Sequence, residues 1–104
     1  MLLIYVPCKN QEEAKKIGRV LVKEKLACCI NILPNIHSIF PWGGKVEETS
    51  ESLLLLKTLS PYKKVRSRIE QLHSYSIPLI SCIKLSNVNQ KYKKWAKKEQ
   101  NRKK

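Results

Sequence analysis

The chain contains no aspartate; all eight of its acidic residues are glutamate. A Ca²⁺ or Mg²⁺ loop built on aspartate spacing is therefore excluded, and so is an aspartic dyad. Glycine is almost as scarce, with three residues in 104, so there is no P-loop and no Gly-rich dinucleotide turn. Four arginines stand against seventeen lysines, which disfavours forked recognition of phosphates or bases. No apolar run approaches the roughly 20 residues of a membrane span. The start, Met1-Leu2-Leu3, has neither a basic segment before it nor a small-residue cleavage site after it. These absences predict a cytoplasmic protein with no membrane partner.

What the chain has is positive charge. Lys and Arg number 21 against 8 Glu, a net charge of +13. Residues 91–104 hold eight of the basic residues and one Glu, a net +7 that leaves +6 for the first 90. The chain is read as a single domain at 1–96 with a basic C-terminal extension at 97–104. The extension has two readings, solvated lysine or a footprint for an anionic partner such as nucleic acid or an acidic surface. With arginine so scarce, nucleic acid is not expected. The hydrophobic fraction of 42% is enough for one packed core.

The hydrophobic pattern predicts an α+β chain. Leu2–Val6 reads as a buried strand, and Asn10 with Glu13 as a capping box opening a helix to about Leu26. Cys28–Ile32 and Ile36–Trp42 are strand-like around Pro34-Asn35. Gly43-Gly44 is a hairpin turn, and Lys45–Glu48 with Ser52–Thr58 makes the return arm. Ser60-Pro61 begins a second helix. Ile77–Leu85 reads as a fourth strand, and a last helix from about Asn89 carries Tyr92, Trp95, Ala96 and Glu99 in one stripe. The order is β-α-β-β-α-β plus a C-terminal helix, the ferredoxin-like arrangement of an antiparallel sheet with a long β2–β3 hairpin. Right-handed crossovers put both helices on one face and leave the other bare. The run Leu53–Leu56 is apolar on both faces, so a second subunit is the simplest cover. Hairpin arms of about fifteen residues reach near 50 Å if straight, longer than a globule of this size. Trp42, Leu53 and Leu55 are the expected contacts between subunits.

The soft-ligand side chains are Cys8, Cys28, Cys29, Cys82, His37 and His73. There is no C-x-x-C pair, so a zinc ribbon and a disulfide framework are excluded. Cys28 and Cys29, adjacent on a strand, should face opposite ways and not hold one metal together. A site would have to assemble from distant positions, Cys8, Cys28 or Cys29, Cys82, and His37 or His73, and would suit Cu(I) or Zn(II); buried thiols and surface histidines are the alternative. The loop His73-Ser74-Tyr75-Ser76-Ile77-Pro78 is a candidate small-ligand lip, with no acid or nucleophile nearby to make a triad. An acylphosphatase-like enzyme needs an arginine after the first strand, and Cys8-Lys9-Asn10 has none.

Several spaced segments carry a resemblance. They are Leu26-Ala27-Cys28-Cys29-Ile30-Asn31, then Phe40-Pro41-Trp42-Gly43-Gly44-Lys45, then Leu56-Lys57-Thr58, then His73 with Tyr75 and Pro78, then Asn89, Tyr92 and Trp95. Over residues 2 to 96 the chain resembles the CutA family of divalent-cation tolerance proteins. The resemblance implies a tight homotrimer similar in architecture to the nitrogen-regulatory PII signalling proteins. It implies a link to copper or another divalent metal, and no enzymatic activity. His73, Cys29 and Cys8 are the metal-contacting positions it suggests, and Lys57, Tyr75 and Trp95 would line a cleft between subunits. Ser74, Ser76 and Leu79 depart from the family's loop, and two of these replace carboxylates.

Overall fold

A computed structural model describes residues 1–102; positions 103 and 104 of the basic extension lie outside the described residues. The elements are β1 (Leu2–Cys8), α1 (Gln11–Lys23), β2 (Cys29–Trp42), β3 (Lys45–Thr58), α2 (Tyr62–Leu72), β4 (Ser81–Lys84) and α3 (Gln90–Gln100). The strands form one sheet in the order β2-β3-β1-β4, with every neighbouring pair antiparallel. This is the ferredoxin-like order expected from the sequence.

Strand alternation divides the sheet into two faces. Ile4, Val6 and Cys8 of β1 and Leu54, Leu56 and Thr58 of β3 have no exposed surface. They pack with Ala14, Ile17 and Leu21 of α1 and Val65 and Ile69 of α2 in one core. Gly18 is where α1 meets β2: a Cβ there would stand 2.9 Å from Ile30 Cγ2. The other face carries Leu3, Tyr5 and Pro7, paired in register with Lys57, Leu55 and Leu53.

The hairpin is the long feature of the molecule. Each arm has fourteen residues, and the principal extents are 46 × 29 × 23 Å. Fourteen residues at about 3.3 Å each account for the long axis. Pro34 and Asn35 form a bulge rather than a break, with the register shifting between Leu33 and Ile36. Ser52 Oγ donates to the Pro34 carbonyl at 2.8 Å, and Ser50 Oγ donates to Asn35 Oδ1 at 3.1 Å. The turn holds Gly43 and Gly44 at φ of 58° and 77°, the left-handed values that a tight hairpin requires.

The start of the fourth strand and the C-terminal division differ from expectation. The fourth strand begins at Ser81 instead of Ile77, because it pairs only with Leu2–Tyr5 and Pro78 has no N–H for a ladder. The division at 96/97 falls inside α3, whose last residue, Gln100, is bonded to the body. Its Oε1 accepts the Leu59 N–H at 2.7 Å, and its Nε2 donates to Lys25 O, Thr58 Oγ1 and Ser60 Oγ at 3.1, 3.2 and 3.1 Å. Ala96 is fully buried, whereas Trp95 is 45% exposed, so the docking stripe is Tyr92, Ala96 and Gln100 without the tryptophan.

Candidate functional site

The chemistry-bearing residues gather at the two ends of the sheet. At the first end, β1 delivers Cys8, the first turn of α1 delivers Glu13, and the residue that ends α2 is His73. One donor atom from each of the three lies within 4.8 Å of the others, and all three residues are buried. Asn10 makes this possible: it caps α1 by accepting the Glu13 N–H on Oδ1 at 2.9 Å, which fixes the Glu13 side chain over the helix start.

The cluster is internally satisfied. Glu13 Oε1 accepts the Lys9 N–H at 3.1 Å, and Oε2 accepts the Ser74 N–H at 2.9 Å. Burial pushes its carboxyl up, but the hydrogen bonds from Ser74 and Lys9 outweigh this and hold it below its ordinary value. His73 Nδ1 accepts the Tyr75 N–H at 3.1 Å, which leaves the proton on Nε2 to donate to the Pro7 carbonyl at 2.9 Å. Burial, with Glu13 and Glu51 nearby, pushes the Cys8 thiol up to about 12. By residue type these three would suit a borderline-soft divalent ion. In this arrangement both imidazole nitrogens and both carboxylate oxygens already carry hydrogen bonds, so an ion bound by the three would displace or share those contacts and take the place of the thiol proton.

Tyr75 extends this end. Its ring centre lies 4.7 Å from that of His73, and its hydroxyl donates to Glu51 Oε2 at 2.6 Å. Burial first, and then Glu51, raise its phenol. Beside it, a groove of about 740 Å³ runs along the hairpin, lined by Phe40, Trp42, Glu47, Glu51, Ile77 and Leu79 among others. Trp42 is 58% exposed and Ile77 75% exposed, so the groove is apolar and open. Leu53 keeps only 7% of its surface and Leu55 is half-buried, which leaves Leu55 and Trp42 as the expected contacts with area to offer.

Cys29 is not at this end. It is paired in register with Lys57, whereas Cys8 is paired with Ser52, five residues along β3 or roughly 16 Å. Lys57 Nζ donates to Asn31 Oδ1 at 3.0 Å, lies 3.7 Å from Cys29 Sγ and stands 5.9 Å from the centre of the Tyr92 ring. Tyr92 in turn lies 5.4 Å from Trp95, centre to centre. The six expected site residues therefore divide: Cys8, His73 and Tyr75 at one end, Cys29, Lys57 and Trp95 at the other. His37 pairs with Glu48 at 2.7 Å on the exposed hairpin, and Cys82 is exposed on β4, so neither joins a site.

The sequence did not mark Glu13 or Glu51 as site residues. Glu13 was legible only as a capping residue, the role that carries it to His73. Glu51 is brought to Tyr75 by the long hairpin, and no local pattern announces it.

The family model described as "CutA1 divalent ion tolerance protein" matches residues 2–99. The "Divalent-cation tolerance protein CutA" of Thermus thermophilus is 40% identical over 96 residues, covering 91% of each chain. "Protein CutA, chloroplastic" of Arabidopsis thaliana is 36% identical over 97 residues, 92% of this chain but only 53% of that relative. The chain thus spans about half the length of the plant protein. Among solved structures, the "Periplasmic divalent cation tolerance protein CutA" of Archaeoglobus fulgidus is similar with a TM-score of 0.92 and 33% identity, over 97% of this chain and all of that one. On its sequence, its sheet order and these matches, the chain belongs to the CutA1 family of divalent ion tolerance proteins.

Proposed function

We propose that the protein is a homotrimeric, non-enzymatic binding protein of the divalent-cation tolerance type, linked to copper or another divalent metal. The observation that carries the reading is the separation of Tyr75 from Lys57 and Trp95. These residues belong to opposite ends of one sheet, and a cleft containing all three needs two subunits meeting end to end. The exposed apolar side chains of Trp42, Val46, Ile77 and Leu79 support such an interface. A hairpin that reaches out of one subunit also offers a PII-like route by which a ligand in the cleft alters a neighbour. The four free thiols support a cytoplasmic location. The test is growth of cells lacking the protein in medium with added Cu(II). Wild-type protein should restore tolerance, and Trp42→Glu, altered at an exposed interface position, should not. Equal rescue by both would refute the reading.

A second reading, an anionic partner at α3, rests on one observation. The single carboxylate of α3, Glu99, is paired with Arg102 at 3.1 Å. Lys91, Lys93, Lys94, Lys97 and Lys98 are all exposed and form no ion pair among the described residues. Binding of a polyanion that weakens steeply with added salt would favour it.

A further inference from the structure

Cys29 opens β2 and stands directly across the antiparallel ladder from Lys57 of β3. Side chains paired in this way lie within reach of one another, and here they meet: the Lys57 ammonium donates to Cys29 Sγ at 3.7 Å. Asn31 Oδ1 lies 3.0 Å from Lys57 Nζ and 3.9 Å from Cys29 Sγ. The Tyr92 ring of α3 flanks the same ammonium, with its centre 5.9 Å away. Asn31 and Tyr92 thus hold one amine against one sulfur. Cys29 and Lys57 are both half-buried, so a small solute can reach them.

The other three thiols lack this neighbour. Cys8 is buried, and burial pushes its thiol up to about 12. Cys28 donates to the Lys57 carbonyl at 3.3 Å, and burial pushes its thiol up as well. Cys82 is exposed and has no hydrogen-bonded amine among the described residues.

We propose that Cys29 and Lys57 form an oxidative modification site, which a hydroperoxide closes into a reversible sulfenamide cross-link between β2 and β3. With hydrogen peroxide, the Cys29 sulfur attacks one oxygen and the O–O bond breaks. The sulfur is oxidised to a sulfenic acid, and the peroxide is reduced to water. Lys57 then gives one proton to solvent, and its nitrogen lone pair attacks the sulfenic sulfur. An S–N bond forms, the S–O bond breaks, and the hydroxyl leaves as water with a second proton from the nitrogen. Elsewhere a sulfenic acid meets solvent; here it meets an amine already held beside it. An added thiol reverses the link by attacking the sulfur, which frees the amine, and a second thiol then reduces the mixed disulfide. The link removes the charge of Lys57 and draws its nitrogen from Asn31 and the Tyr92 ring, so α3 loses a contact. All these residues belong to one chain, so the proposal is tested separately from the trimer reading.

The experiment treats the reduced full chain with hydrogen peroxide in amine-free buffer and maps the tryptic peptides by mass spectrometry. Peptides joined through Cys29 and Lys57 should appear, lighter than their sum by the two hydrogens lost. Trypsin should no longer cut after Lys57, and dithiothreitol should release the pair. Dimedone, which traps sulfenic acids, reads the intermediate. Lys57→Arg keeps the positive charge but removes the amine, so its Cys29 should take up several-fold more dimedone than wild-type Cys29. Cys29→Ser should form no link to Lys57, and Cys82→Ser should form it as wild type does. Equal dimedone uptake at Cys29 in wild type and Lys57→Arg, or Cys29 joined to another cysteine in place of Lys57, would overturn the assignment.

Discussion

Glu13 Oε2 accepts the Ser74 N–H at 2.9 Å, with Glu13 Oε1 4.0 Å from His73 Nδ1, so the first turn of α1 is tied to the segment that follows α2. The carboxylate earns its position through the backbone N–H groups of Lys9 and Ser74, which would otherwise be left without acceptors. In Glu13→Gln, an amide NH₂ replaces one oxygen and faces a donor. The expected loss is about 1–3 kcal/mol in urea unfolding near neutral pH. The pH profile follows from the same contacts. The folded carboxyl titrates below its ordinary 4.5, so its stabilisation is present above that value and disappears as pH falls through the lower, folded one. Wild-type stability should therefore drop on acidification through this window. Glu13→Gln should drop less, and parallel profiles for the two proteins would show that Glu13 is not the group responsible.

Gln100 is the anchor of α3. Gln100→Ala removes an acceptor from Leu59 N–H and a donor shared by Lys25, Thr58 and Ser60. We expect a loss of about 1–3 kcal/mol and early exposure of Tyr92 on heating. Trp95→Ala should cost less than the roughly 3–5 kcal/mol of a fully buried tryptophan, because nearly half the ring is in water. Deleting residues 97–104 removes Gln100 with the lysines, so this truncation should lower the melting temperature. A truncated chain as stable as the full one would mean that the Gln100 bonds contribute nothing.

Gly18 sets two effects against each other. Alanine in a helix interior gains about 1 kcal/mol over glycine. A Cβ at 2.9 Å from Ile30 Cγ2 and 3.3 Å from Cγ1 is an overpacked contact, and these cost roughly 1–3 kcal/mol. Gly18→Ala should be net destabilising, by up to about 2 kcal/mol on these figures, and Gly18→Ala with Ile30→Val should recover part of the loss. A stabilised single variant would show that Ile30 moves aside freely.

The frame of the fold was legible because its signals are local. Asn10 caps α1, Gly43-Gly44 turns the hairpin, and the spacing of Tyr62, Val65 and Ile69 is helical. The Leu53–Leu56 run, apolar on both faces, suits β3's place between β2 and β1. The site was legible only in part. His73 and Cys8 meet because strand order brings the end of β1 under the end of α2. Cys29 was grouped with them by residue type alone, and the antiparallel register carries it to the far end of β3. Trp95 was grouped with the docking stripe by its three-residue spacing from Tyr92, yet it keeps 45% of its surface in solvent where Ala96 keeps none.

The account turns on a cleft that two subunits build, and the assembly state tests it most directly. Sedimentation equilibrium at micromolar concentration should return three times the chain mass of 12.1 kDa for the wild-type protein. Trp42→Glu, altered at a side chain that is 58% exposed in one subunit, should shift the mass toward a single chain without unfolding it. A folded wild-type monomer at that concentration would contradict the account, since Tyr75, Lys57 and Trp95 could then share no cleft.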